Sequence, residues 1–280
     1  MRYLLCNETV RELDISAQCQ LAAELGYDGL ELAPFTLGAD PHTISREQRA
    51  EVRKAAADAG ISLGGLHWLL VSPEGLSITS DDDRVRRKTL DVMKRLVELC
   101  SDLDGRVLVH GSPAQRRLPD SDRVGAAERG REAFAQVAQV AEQAGVTYCI
   151  EPLPSSSTEF VNTVAEAAAI AEEIGSPGLR TMIDCRAARL SESEGLPELV
   201  SRWVPSGVIA HVHFNDRNRR APGQGSDEFA PVIAALHEAG YQGDAAVEPF
   251  VYQPDGPTTA ARAIGYLRGI EEALSFRRTR

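Results

Sequence analysis

Apolar residues in this chain fall into eight short runs, and most are followed by a longer stretch with helical spacing. The runs cover residues 3–6, 29–32, 61–66, 107–109, 147–150, 181–183, 208–214 and 245–247. Residues 16–25 repeat apolar positions at Cys19, Leu21, Ala22 and Leu25, and Gly26 stops the helix they predict. Residues 45–59 open on the capping box Ser45-Arg46-Glu47-Gln48 and end at Gly60. Further helices are predicted over 83–103, 122–144, 163–174, 196–203, 227–239 and 258–274, with an Arg-rich tail at 276–280 expected to fray. Strands that are apolar throughout belong to a parallel sheet covered on its outer face. Eight strand-then-helix units in 280 residues predict an α/β fold, a single-domain (β/α)8 TIM barrel spanning 1–280. A doubly wound open sheet is disfavoured because no Gly-rich fingerprint follows the first run.

The polar residues that close these runs carry the candidate chemistry. They are Glu8, His67, His110, Glu151, Asp184, His213 and Glu248, and in such a barrel strand ends converge on one rim. His211 and His213 are two residues apart and share a strand face. A lone strand-end Glu is ordinarily solvated or salt-bridged. Several buried side by side are costly unless a cation compensates them. Three carboxylates and an imidazole suit Mn²⁺, Mg²⁺ or Co²⁺ better than a thiolate-type zinc site. His67 reads as either a rim contact or a satisfied core histidine. His42 and His237 read as surface, and Cys149 and Cys185 as packing.

Charge and cysteine usage narrow the partners. A formal net charge of −11 with a pI near 5.1 argues against general nucleic-acid or anionic-membrane binding, although Arg217, Arg219 and Arg220 form a local basic patch. The five scattered cysteines, without a CxxC, read as free thiols in a reducing, cytoplasmic setting. No run approaches a membrane span, and the first eight residues turn polar too soon for a signal peptide. Long helices leave outer faces on which a homo-oligomer can pair.

The chain resembles the sugar phosphate isomerase/epimerase superfamily over nearly its whole length. These are xylose isomerase-like TIM barrels, among them ketose 3-epimerases, hydroxypyruvate isomerase, inosose dehydratase and apurinic endonucleases. The resemblance rests on Ile150-Glu151-Pro152-Leu153 with Asn162-Thr163, Met182-Ile183-Asp184, His211-Val212-His213 with Arg219 and Pro222-Gly223-Gln224-Gly225, and Val247-Glu248-Pro249-Phe250. Gly65-Leu66-His67-Trp68 and His110-Gly111-Ser112-Pro113 look like the sugar-active or uncharacterised branches. The resemblance implies that Glu151, Asp184, His213 and Glu248 hold one divalent ion, Mn²⁺ first, with Mg²⁺ or Co²⁺ as alternatives. It implies that Arg219 contacts substrate hydroxyls, and His67, His110, Arg186 and His211 are further candidate substrate contacts. Two positions depart from the epimerase pattern: Ala187 stands where it has a histidine, and Ser157 where it has a substrate-contacting glutamate.

The function so implied is a metal-dependent sugar isomerase or epimerase. Glu151 and Glu248 would flank the substrate, one removing a proton beside a carbonyl and the other returning it, through a metal-bound enediolate. A lyase, dehydratase or deglycosidase acting on a keto-sugar derivative would use the same intermediate. A metal-dependent phosphodiesterase fits less well, having more His and Asp ligands. A non-catalytic sugar-binding barrel predicts a degraded carboxylate cluster, and here the cluster is intact. Arg116, Arg117 and Arg186 offer charge for a phosphorylated substrate, without a Gly-rich phosphate loop.

Overall fold

The computed structural model describes the backbone of residues 1–278 and the side chains of residues 1–275. Eight parallel strands close into a barrel in chain order. They are β1 (Arg2–Cys6), β2 (Gly29–Leu32), β3 (Ser62–Leu66), β4 (Val107–His110), β5 (Thr147–Ile150), β6 (Leu179–Asp184), β7 (Ile209–Phe214) and β8 (Asp244–Val247). Around them lie α1 (Ile15–Leu25), α2 (Arg46–Ala59), α3 (Asp83–Asp102), α4 (Arg123–Ala144), α5 (Val164–Ile174), α6 (Cys185–Ser191), α7 (Leu196–Trp203), α8 (Ala230–Glu238) and α9 (Gly256–Arg278). No helix among the described residues is long and apolar enough to cross a membrane.

Local chemistry sets the helix ends. Ser45 and Gln48 form the expected reciprocal box at α2, and Thr163 and Glu166 form a second at α5. Gly26 and Gly60 end α1 and α2 with φ of 89° and 71°, a conformation a β-carbon disfavours. The barrel seam between β1 and β8 is clamped by Arg2, whose Nε and Nη2 donate to Asp244 Oδ1 (2.7 Å) and Oδ2 (2.6 Å). Such a fork-to-fork pair adds direction as well as energy.

Three expectations change. Helix α6, a single short element, was not predicted; its N-cap is Asp184, whose side chain accepts from Ala187 N. Helix α8 starts at Ala230 rather than 227, because Asp227 is spent on the preceding loop, where it accepts from Arg217 N and Nε. Helix α9 runs from Gly256 to Arg278, beyond the 258–274 expected; residues 279 and 280 of the tail expected to fray lie outside those described.

Strand alternation divides the core. Val107, Val109, Cys149 and Met182 form one interior cluster, and Leu4, Cys6 and Ala246 another. Leu108, Tyr148, Ile150, Ile183 and Val212 point the other way, into the packing against the helices. The next same-face position after each interior residue is two places on. Cys149 is thus followed by Glu151, Met182 by Asp184, Ala246 by Glu248, Cys6 by Glu8, and Val109 by Gly111. The apolar plug therefore passes directly into a polar layer at the C-terminal rim.

Candidate metal centre

Glu151, Asp184, His213 and Glu248 meet at the top of that plug. Ligand-type atoms from the four lie within 4.8 Å of one another, and each residue is 5% exposed or less. His213 Nδ1 stands 3.2 Å from Glu248 Oε2. Neither His213 Nδ1 nor Glu248 Oε1 has a hydrogen-bond partner. Asn215, just past β7, is wholly buried and donates to Asp184 Oδ2 (2.6 Å) and Glu248 Oε2 (3.3 Å), while its Oδ1 accepts from Arg186 N (2.9 Å). Gly111 leaves the space that Glu151 fills, since a β-carbon there would collide with Glu151 Oε2.

Packing like charges without solvent shifts Glu151, Asp184 and His213 from their ordinary values. Burial, and then the charges of Glu248 and Asp184, push the Glu151 carboxyl well above its ordinary range. Burial and then Glu248 push Asp184 up to about 6. Burial alone would lower His213, but Glu248 and Glu31 outweigh it and hold the imidazole well above its usual value. The cluster thus holds protons at neutral pH that a divalent cation can replace. An all-oxygen and imidazole donor set with unpartnered, buried lone pairs fits a hard to borderline divalent ion.

A second polar layer lies beneath the first. Glu31 of β2 is 1% exposed and faces three imidazoles: His211 Nε2 at 2.6 Å, His213 Nε2 at 3.0 Å and His67 Nδ1 at 3.4 Å. Burial would raise its carboxyl, but the His211 and His213 charges win and hold it well below the usual range. His67 Nε2 lies 2.9 Å from Glu8 Oε2. Burial opposes its protonation, and Glu8 and then Glu31 overcome that, raising His67 to about 9.

Above the carboxylates is a cavity of about 290 Å³. Glu151 and Asp184 form its floor, and Trp68, Ser157, Arg186, Ala187, Arg219 and Phe250 are among the residues of its wall. Trp68 is stacked on Phe250 at 5.9 Å, and the Arg219 guanidinium sits 5.6 Å over the same ring. Arg219 adopts φ of 71°, and its carbonyl accepts from Phe250 N and Val251 N, which ties the Arg-rich loop to the segment after β8. A larger recess of about 660 Å³ opens beside Arg180, Trp203 and Val208, near the N-terminal ends of β6 and β7. It has no cluster of carboxylates and imidazoles, so size does not mark the site.

The structure therefore gathers the four expected ligands and puts Arg186 and Arg219 in the cavity wall. It places three expected substrate contacts away from the cavity wall. His110 has the opposite parity to Val107 and Val109, so it leaves the barrel: Nδ1 is 2.7 Å from Tyr148 Oη, and the ring meets Phe134 of α4 edge-on. Burial, and then Arg116, lower it to about 3, so it is neutral. His67 and His211 face inward but lie under the carboxylates against Glu31, outside the cavity wall. Sequence reasoning missed Glu31, Asn215 and Gly111. The signal for Glu31 was available, as a charge inside a four-residue apolar strand. Arg116 is wholly buried and donates Nη2 to the Glu151 carbonyl at 2.7 Å, so it braces that residue.

Comparison with known proteins gives a family and several relatives. Residues 19–270 match the family model described as xylose isomerase-like TIM barrel. The D-psicose 3-epimerase of Ruminiclostridium cellulolyticum is 28% identical over 242 residues, covering 86% of this chain and 80% of that protein. The L-ribulose 3-epimerase of Mesorhizobium japonicum is 29% identical over 231 residues, covering 81% and 72%. Among solved structures, a D-psicose 3-epimerase crystallised in the presence of D-fructose superposes with a TM-score of 0.82 at 22% identity, covering 96% of this chain and 99% of the other. The 3-keto-D-glucoside 4-epimerase of E. coli gives 0.82 at 19% identity, with the same coverage. These two structural matches show a shared fold.

Proposed function

The chain belongs to the xylose isomerase-like TIM barrel family, and from that premise we propose that it is a divalent-metal-dependent sugar epimerase or isomerase. It would act by proton transfer at a carbon beside a carbonyl. The observation that carries this reading is the convergence of Glu151, Asp184, His213 and Glu248, two of which, Glu151 and Asp184, floor a sugar-sized cavity. These four would hold the ion, and Mn²⁺ suits three carboxylates and an imidazole, with Mg²⁺ or Co²⁺ as alternatives. Bound there, a divalent ion supplies Lewis acidity, lowering the pKa of the C–H beside a carbonyl.

The protein's own groups account for the rest. Glu151 follows β5 and Glu248 follows β8, so the two approach the cavity floor from separate parts of the rim. One carboxylate takes the proton and the other returns it, which inverts the centre when the two act on opposite faces. Asn215 holds Asp184 and Glu248 in register, and Arg116 holds the Glu151 main chain. Arg186 and Arg219 would orient hydroxyls, and the stacked Trp68 and Phe250 would cover an apolar sugar face and exclude water. The small side chains of Ser157 and Ala187 on the wall favour ketoses with a bulkier substituent near the reacting carbons. Five buried free thiols support a cytoplasmic setting.

The test is solvent exchange. The Mn²⁺-loaded protein is incubated in D₂O with D-psicose, D-fructose, D-tagatose, L-ribulose and a 3-keto-glucoside, and substrate C–H loss is read by NMR after the ion is removed. Exchange beside the carbonyl of at least one sugar is expected, falling at least about 100-fold in Glu151→Gln and in Glu248→Gln. Mn²⁺ binding without exchange on any of them would sink the reading.

A further inference from the structure

The mechanism leaves the lower polar layer unused, and that layer is expensive. Glu31 is a carboxylate at 1% exposure, and among the described residues no Lys or Arg pairs with it. Its neighbours are the imidazoles of His67, His211 and His213. A buried carboxylate is retained at such cost only where its acceptor oxygens are needed. The position is built to hold it. Its strand pairs Glu31 with Cys6 of β1 and Gly65 of β3, with a register shift just before it. Glu8 fixes His67 from the far side at 2.9 Å, and His67 in turn abuts Glu31.

We propose that Glu31 is the positioning residue of the metal centre: its carboxylate fixes the tautomer of His213 so that Nδ1 faces the other three ligands as a lone pair. An ionised carboxylate only accepts hydrogen bonds. The 3.0 Å contact from His213 Nε2 to Glu31 Oε1 therefore places a proton on Nε2. The other ring nitrogen, Nδ1, lies 3.2 Å from Glu248 Oε2 and has no hydrogen-bond partner. In a neutral imidazole with Nε2 protonated, Nδ1 is the atom that donates to a cation. Without Glu31 the ring is free to carry its proton on Nδ1, where Glu248 would accept it, and the centre would lose one of its four donors. His211 Nε2 lies 2.6 Å from Glu31 Oε2 and His67 Nδ1 3.4 Å from Oε1, so both stand one step further out. Partners of this kind orient a ligand and are worth about 10–100-fold in metal affinity.

This inference rests on the reading of the four-residue cluster as a metal centre, and the experiment separates the two. Free Mn²⁺ is titrated by EPR against the full-length wild type, Glu31→Ala and Glu31→Gln. The ring nitrogens of His213 are read by ¹⁵N NMR in wild type loaded with diamagnetic Zn²⁺. Expected are Mn²⁺ affinity about 10–100-fold weaker in Glu31→Ala, a smaller loss in Glu31→Gln, which keeps one acceptor oxygen, and a proton on His213 Nε2 in the loaded wild type. Wild type that binds Mn²⁺ with the proton on Nδ1, or a folded Glu31→Ala with affinity within about threefold of wild type, overturns the role of Glu31 alone. Wild type that binds no Mn²⁺ overturns the metal centre and this inference with it. The NMR measurement needs no variant, so it decides even where Glu31→Ala does not fold.

Discussion

Gly111 offers the sharpest single perturbation of the site. It occupies the inward position of β4 two residues beyond Val109, opposite Glu151. An alanine methyl there would lie well inside contact distance of Glu151 Oε2, so the carboxylate must retreat by roughly 1 Å or more. Misplacement on that scale costs about 100-fold in rate, or about 2.7 kcal/mol of barrier. Glu151 is also one of the four proposed ligands, so Mn²⁺ affinity falls by at least about tenfold. Gly111 is not in the left-handed region, so its backbone accepts alanine. Such a change stabilises a chain by about 0.4–1 kcal/mol through the unfolded state. The expected signature of Gly111→Ala is therefore a split: kcat/KM down about 100-fold, Mn²⁺ binding weakened, and the urea midpoint of the metal-free protein unchanged or raised. Saturating Mn²⁺ restores occupancy but not kcat, because the proton-transfer group stays displaced. Activity within about threefold of wild type at low Mn²⁺ would refute the reasoning, since the carboxylate would then function from elsewhere.

Two further outcomes follow. Metal-free protein should become more stable on acidification from pH 7.5 to pH 5. Asp184 has an ordinary value of 3.8 and is raised to about 6, so between these values the folded chain holds a proton the unfolded chain lacks. Its contribution therefore falls as pH rises through that window, by about 3 kcal/mol in full, of which roughly half lies between pH 5 and pH 7.5. Urea melts should show this slope, Asp184→Asn should flatten it, and an unchanged slope in the variant counts against the assignment. His110→Phe should keep kcat/KM within about threefold while losing about 1–3 kcal/mol, because Tyr148 Oη loses its buried partner. A collapse of kcat with normal stability would return His110 to the cavity.

The sequence disclosed the barrel and its rim because the signals are local and repeated. Apolar runs, glycine stops and capping boxes act within a few residues, and β5, β6 and β8 each end in or run into a carboxylate on the parity that faces inward. What it hid depended on parity or on partners distant in the chain. His110 looked like Glu151, a polar residue closing a run, yet one residue of register turns it toward Phe134. Glu31 was masked by its apolar neighbours Leu30 and Leu32, and its partners are 36, 180 and 182 residues away. Asn215 looked like ordinary loop polarity until Asp184 and Glu248 were brought against it. The start of α8 was misplaced because Asp227 has the chemistry of a helix cap but serves Arg217 instead.

Asp184 has two oxygens with two employers. Oδ1 caps α6 through Ala187 N at 2.6 Å, and Oδ2 belongs to the cluster through Asn215. The first turn of α6 carries Arg186 into the cavity wall, and the Arg186 amide is itself tied to Asn215. Whatever occupies the floor of the cavity therefore pulls on the same carboxylate that anchors a piece of its wall. By linkage the exchange would be mutual: an ion that firmed Asp184 would ready Arg186 for a ligand, and a ligand gripping Arg186 would tighten the hold on the ion. Hydrogen exchange at the Ala187 amide would read that conversation directly, slowing when either end is engaged.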